Sequence, residues 1–207
     1  MQLLTANICS DEEYVSCVFE DKDVGLRKTY KLTIFDFIAA LGASADEMEF
    51  IPLELPSNCL KCSIGRTQSA YITGELEFFV NPRKELVTFC GQSYVIPFPK
   101  LLFKLRIVNG IINGSYVFAV KSNDKLAHFP FTNVYNDGKI CWGSVQLPVV
   151  KSFKDAEKIA SLFVTFPGNT DLSFQETLHK ANVASMGELY KKLEGMDKFP
   201  NRWLVEM

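Results

Sequence analysis

Long apolar runs, a basic surplus and histidine are all scarce in this chain. No uncharged apolar stretch approaches the ~20 residues of a membrane span; the best, residues 107–120, is broken by Asn109-Gly110 and Asn113-Gly114. Lys and Arg number 22 against 24 Asp and Glu, a net charge of −2. No basic stripe of the kind that grips phosphate backbones results, which excludes nucleic acid as the first partner to consider. The two histidines, His128 and His179, have no E-x-x-H spacing, and no G-x-S-x-G elbow, P-loop or G-x-G-x-x-G is present. Cys59-Leu60-Lys61-Cys62 supplies at most half of a zinc site and has no second pair, so neither a metal nor another cofactor is expected. Residues 1–13 lack a basic n-region and turn acidic at Asp11, which argues against a secretory signal and for a reduced, cytoplasmic setting. Internal repeats and low-complexity tracts are missing too.

What remains is an ordinary globular composition: 207 residues, 47% hydrophobic and 13% aromatic, enough to bury a core without disulfide or metal staples. Acid is concentrated at the front, with a net of −6 over residues 1–50, +4 over 51–150 and none over 151–207. The front reads as strands over 3–8, 14–20 and 26–32, then a helix opened by the Thr33/Asp36 capping box, with Ile34, Phe37, Ile38 and Leu41 on one face and Gly42 as the stop. Prolines across 50–65 suggest an extended crossing. The middle is β-rich: 71–80 and 85–90 around a turn at 81–84, then 101–108 and 115–120 around the two Asn-Gly dipeptides, after an irregular approach at Pro97 and Pro99. Ser152/Asp155 opens a helix that buries Ala156, Ile159, Ala160, Phe163 and Phe166 and stops at Pro167-Gly168. Ser185/Glu188 opens a shorter one carrying Met186, Leu189 and Leu193. Strands followed by helices define an α+β layout. Cys9, Cys17 and Cys90 lie in apolar, strand-like segments and read as small core residues.

Cys141 stands apart. It closes the segment Phe131-Thr132-Asn133-Val134-Tyr135-Asn136-Asp137-Gly138-Lys139-Ile140-Cys141-Trp142-Gly143, where a tight turn at Asp137-Gly138 brings Asn133 and Cys141 toward each other. A thiolate can hold an acyl group as a thioester, and a neutral amide donor suits the oxyanion formed when an amine attacks it. A buried Cys beside a turn Asn is the plainer reading of the same pair.

The pattern N-V-Y-x-D-G-x-I-C, filled by Asn133-Val134-Tyr135, Asp137-Gly138 and Ile140-Cys141, resembles the active-site signature of ubiquitin-conjugating enzymes. Pro97-Phe98-Pro99-Lys100 resembles the proline-rich entry to that family's active-site strand. Phe166-Pro167-Gly168-Asn169-Thr170-Asp171 resembles the loop that carries its acidic or serine residue, at Asp171. Pro52-Leu53-Glu54-Leu55-Pro56 and Glu77-Phe78-Phe79-Val80-Asn81-Pro82 bring the likeness closer to prokaryotic members of the fold, in the group called PRTRC system protein B. The likeness spans roughly residues 50 to 175.

The resemblance implies an antiparallel β-meander with an active-site loop and C-terminal helices, placed at 69–207, behind a β-rich extension with one helix at 1–68. It implies that Cys141 takes a ubiquitin-like protein as a thioester from an adenylating activating enzyme and passes it to an amine. Asn133 donates to the oxyanion or holds the loop, and Asp171 orients the amine and draws off its proton. A metal-dependent isopeptidase of the same operon, and a setting in a mobile element or antiviral defence, belong to the same picture. Asp137 reads as turn chemistry; Tyr135, Ile140 and Trp142 read as packing. Two features depart from the family: Phe131-Thr132 replaces its His-Pro, with His128 the nearest histidine, and an acidic leader replaces its basic N-terminal helix. A catalytically inactive adaptor that presents a ubiquitin-like protein is the alternative, and a structural subunit with a buried Cys141 a third.

Overall fold

A computed structural model describes residues 2–8, 14–21, 23–34, 36–38, 53–65, 71–172 and 174–207. The chain forms two compact units, Met1–Phe78 with Leu105–Asn113 and Val149–Ala156, and Phe79–Lys104 with Gly114–Pro148 and Glu157–Met207.

In the first unit, β1 (Gln2–Ile8), β2 (Tyr14–Asp21) and β3 (Leu26–Thr33) form an antiparallel meander in continuous register, Ala6 opposite Cys17 and Cys17 opposite Tyr30. These strands match the expected ones within a residue or two. Alternation sets the inner face: Ala6, Val15 and Cys17 are buried and cluster with Phe37 and Leu32. Thr33 Oγ1 accepts from the Asp36 N–H at 3.0 Å and donates to its carboxylate at 2.7 Å, starting a helical turn at Ile34 as expected. The expected apolar face is only partly realised. Phe37 is buried, but Ile34 and Ile38 are exposed, because they lie about 60° and 100° to one side of Phe37 around a helix. Leu41, Gly42 and Cys9 fall outside the described residues.

The expected crossing at 50–65 ends instead in a strand, β4 (Cys59–Ile64), paired with β1 through Ala6–Cys62 and with β5 (Gly74–Val80) through Cys62–Leu76. A register shift between Cys59 and Lys61 breaks the period-two pattern there, which is why alternation does not announce this strand. Asn109-Gly110, with φ of 51° and 76°, makes the turn between β8 (Lys100–Val108) and β9 (Ile111–Val120). Asn113-Gly114 is carried inside β9 as strand, because one left-handed pair already turns the chain.

In the second unit, β6 (Arg83–Phe89) and β7 (Gln92–Phe98) form a separate two-stranded antiparallel sheet. Cys90-Gly91 turns it, with φ of 46° and 79°. Cys90 is therefore an exposed turn residue, contrary to its expected place in the core; a strand reading overlooked that Cys-Gly can turn a hairpin where Asn-Gly usually does. Pro97 sits within β7 opposite Lys84, tolerated because β7 pairs only with β6 and keeps an open edge. β10 (Leu126–Ala127) pairs with β9.

Three helices close the chain. α1 (Ala156–Thr165) buries Ala156, Ile159, Ala160 and Phe163 as expected, while Phe166 lies just past its end and is half-buried. α2 (Gln175–Ala181) was not expected; it ends at Asn182, whose φ is 53°. α3 (Met186–Glu194) starts at Ser185, whose side chain accepts from Glu188 N–H, and buries Met186, Leu189, Tyr190 and Leu193. Phe98, Phe129, Phe131, Phe163 and Tyr190 form a continuous run of ring contacts in this unit. The architecture is mixed, antiparallel strands followed by helices.

Candidate active site

Residues 133–141 fold back on themselves as a narrow hairpin. The Cys141 N–H donates to the Asn133 carbonyl at 2.8 Å, Val134 bridges Ile140, and the Tyr135 N–H donates to the Lys139 carbonyl at 2.9 Å. The Gly138 N–H closes the turn on the Tyr135 carbonyl at 2.9 Å, with Gly138 at φ 85°, a type I turn followed by a left-handed residue. Asp137 is turn chemistry, as expected: its carboxylate accepts from the Lys139 N–H at 2.9 Å. The hairpin is seated on β9, with the Ile140 N–H donating to the Ser115 carbonyl and the Val117 N–H to the Gly138 carbonyl, each at 2.9 Å. A Cβ on Gly138 would overlap the Phe118 ring. The expected meeting of Asn133 and Cys141 is thus made through the backbone.

Asn133 is buried, 8% exposed, and holds φ 67°, a region that Asn enters more readily than most residues. Its Nδ2 donates to the Pro167 carbonyl at 3.1 Å, which ties the hairpin to the loop after α1. That loop is tied in turn to β6: the Gly168 N–H donates to the Thr88 carbonyl at 2.8 Å, and the Cys90 N–H to the Gly168 carbonyl at 3.1 Å. One Nδ2 hydrogen is committed to Pro167, leaving the other to offer. Asp171 is exposed on the same loop, where its carboxylate accepts from Asn169 Nδ2 and its N–H donates to Asn169 Oδ1, both at 3.0 Å.

The replacement of His-Pro has a structural counterpart. Phe131 is buried and stacks on Tyr190, ring centres 5.5 Å apart. The Tyr190 oxygen hydrogen-bonds both the side chain and the backbone of Thr132, and burial is the main cause that pushes its phenol well above the usual tyrosine range. Ring packing and buried hydrogen bonds thereby brace this turn without a proline. His128 stacks instead on Phe174, centroids 4.2 Å apart.

Cys141 is half-buried. Ile140 is buried and packs as expected; Trp142 is half-buried, donates from Nε1 to Ser115 Oγ at 2.8 Å and meets Phe163 edge-on. Tyr135 does not pack. It is 47% exposed, and its hydroxyl lies 3.7 Å from Cys141 Sγ, within reach of a hydrogen bond to sulfur. That hydrogen bond is the first cause holding the Tyr135 phenol above its ordinary value, followed by the charge of the sulfur, burial and Asp137. The phenol therefore stays a donor at neutral pH. In the hairpin's register Tyr135 stands opposite Lys139, and Cys141 is its diagonal neighbour two residues further on, a spacing within reach of a long side chain.

A cavity of about 540 Å³ lies elsewhere in the second unit, its wall including Arg83, Pro97, Lys100, Lys121, Asp124 and Phe199; it contains none of the three expected site residues. Among the described residues, no group of three or more His, Cys, Asp or Glu side chains is placed to hold a metal ion, and no helix is long and apolar enough to cross a membrane.

A cysteine-bearing hairpin seated on antiparallel strands and followed by helices is compatible with the ubiquitin-conjugating class of fold. The family model for prokaryotic E2 family D matches residues 40–207, and the chain belongs to that family. Membership brings a role in ubiquitin-like conjugation, with a ubiquitin-like protein and an activating enzyme as the partner classes that go with it. No curated protein and no solved structure matches the chain.

Proposed function

We propose that this chain is a conjugating enzyme that carries a ubiquitin-like protein on Cys141. The thiolate attacks the thioester carbonyl presented by the activating enzyme; a bond to the Cys141 sulfur forms, and the activating enzyme's thiolate leaves. An acceptor amine then attacks that carbonyl. The new C–N bond forms, the C–S bond breaks, and the electron pair returns to Cys141. Asp171 orients the amine and takes its proton, for which its carboxylate turns away from Asn169. Asn133 holds the hairpin through Pro167 and offers its remaining N–H to the oxyanion. Exchange between thiols is close to balanced, so geometry and access are what the protein chiefly supplies.

The observation that carries the reading is Cys141 itself. It is half-buried rather than sealed in the core, and it is held at the end of a hairpin closed by three backbone hydrogen bonds, Cys141–Asn133, Tyr135–Lys139 and Gly138–Tyr135. A buried structural cysteine would need none of this access.

The protein is incubated with its cognate activating enzyme, the ubiquitin-like protein and ATP, then resolved on gels with and without thiol. The expected product is a thiol-labile adduct that vanishes in Cys141→Ala and becomes a thiol-resistant ester in Cys141→Ser. An active activating enzyme that gives no adduct would overturn the proposal in favour of a non-catalytic adaptor.

A further inference from the structure

We propose that Cys59 and Cys62, on β4 in the first unit, are a dithiol modification site that a small-molecule disulfide closes to an intramolecular disulfide, Cys59 reacting first and Cys62 resolving. Neither Cys141 nor conjugation enters into it. On a regular strand C-x-x-C could not do this, because residues three apart face opposite ways and stand about 10 Å apart. β4 is not regular at this point. Cys59 stands opposite Phe78 and Cys62 opposite Leu76, the register shift between Cys59 and Lys61 having absorbed one residue. Phe78 and Leu76 are two apart on β5 and both buried, so they share a face, and so do the cysteines across from them. Two register steps separate the pair, about 6.7 Å, at the upper end of the Cα separation that a disulfide spans. Charge on Cys59 is felt at Cys62: after burial, it is the second cause that pushes the Cys62 thiol up to about 12.

Access sets the order of events. Cys62 is buried, 4% exposed, and is paired on both sides, with Leu76 on β5 and with Ala6 on β1. Among the described residues the pairing of β1 with β4 ends at that rung, and Cys59 lies beyond it, half-buried. The Cys59 sulfur also accepts from the Lys61 N–H, which favours its thiolate against the burial that raises its pKa. Cys59 is thus the thiol that a reagent meets first. Its thiolate attacks one sulfur of the reagent disulfide, whose S–S bond breaks, and one reagent thiolate leaves. The Cys62 thiolate then attacks the Cys59 sulfur and expels the second. The cysteines are oxidised, the reagent is reduced, and the two cysteine protons end on two reagent thiols. Capping Cys59 removes the charge that opposes ionisation of Cys62, so the first step prepares the second. Burial still acts on Cys62, which makes resolution the slower step.

The test is incubation of the folded full-length protein with oxidised glutathione at about pH 8, where exposed thiols are partly ionised. Free thiols are then blocked with N-ethylmaleimide, and the protein is denatured and digested with trypsin without reduction. Cleavage after Lys31, Lys61 and Arg66 puts Cys59 in peptide 32–61 and Cys62 in peptide 62–66. Only a disulfide holds those two peptides together. By mass spectrometry the linked pair should exceed glutathione-bearing peptide 32–61 by roughly tenfold or more, because the second thiol is held beside the first. Exposed Cys90 is the reference and should carry glutathione. In Cys62→Ser, Cys59 should keep its glutathione, the trapped intermediate. Three results in the wild-type digest would overturn the proposal: Cys59 carrying glutathione with no linked pair, Cys59 and Cys62 both blocked while Cys90 is modified, or peptide 32–61 joined to a different cysteine. The wild-type digest decides the matter whether or not the variant folds.

Discussion

Asn133 joins two demands in one residue, a left-handed backbone and a buried amide that reaches Pro167. Asn133→Ala removes both. It orphans a carbonyl partner, at about 1–3 kcal/mol, and gives up the readier entry of asparagine into the left-handed region, the Cβ being common to both residues. Asn133→Gly keeps the backbone and loses only the clasp. Urea unfolding should rank them wild type, Gly, Ala, with the two variants separated by about 1 kcal/mol. In the conjugation assay either change should slow aminolysis more than charging, because attack of the amine is the step that builds charge on the oxyanion. Cys141 and Asn133 could be named as candidates from the residues and Asp171 from the family resemblance, but the Asn133–Pro167 bond and the place of the Tyr135 hydroxyl could not. Both depend on where a side chain points once a hairpin closes, and a nine-residue motif fixes spacing without fixing direction.

Besides its hydrogen bonds to β9, the hairpin at 133–141 rests on one close contact beneath it. Gly138 lies so close to the Phe118 ring that a Cβ overlaps it, and its φ of 85° is strained for any other residue type. Gly138→Ala should therefore cost about 2–4 kcal/mol by thermal or urea unfolding, unless the turn lifts from β9. A lifted turn would leave stability nearly intact while changing Cys141 alkylation, and the two measurements together separate the cases. Elements like this one were legible where a local signal repeats. The three leading strands, α1 and α3 all follow from alternation, capping residues and apolar period. β4 escaped because its bulge at Leu60 interrupts alternation, β7 because Pro97 reads as a breaker away from an open edge, and α2 because its run is short. The choice between two Asn-Gly turns needed the partner strand as well.

Across the second unit, its C-terminal segment is held by charge. Glu206 bonds Lys121 at 2.8 Å and Lys125 at 3.1 Å, the Met207 N–H reaches the Leu126 carbonyl, and the His128 N–H reaches that of Val205. These lysines hold the Glu206 carboxyl below its ordinary value of 4.5, and Lys84 does the same for Asp197. A carboxylate of this kind binds protons less readily folded than unfolded. Its contribution is complete above the ordinary carboxylate range and is lost as pH falls through the folded value. Glu206→Gln should thus lower the melting temperature slightly at pH 6–7 and at low salt, with the two proteins converging near pH 3. Added salt should shrink the difference, since both partners meet solvent.

The clasp that holds Asn133 spans 34 residues to Pro167, and the next residue, Gly168, bonds back to Thr88 and Cys90. In order of synthesis this makes the surroundings of Cys141 a late event. When Cys141 is made, the turn around it can close, but the carbonyl that secures Asn133 has yet to be joined to the chain. The site is assembled only after α1 is complete and its far end has docked on β6. The Cys141 hairpin is thereby set into its final geometry once the surrounding fold is largely in place.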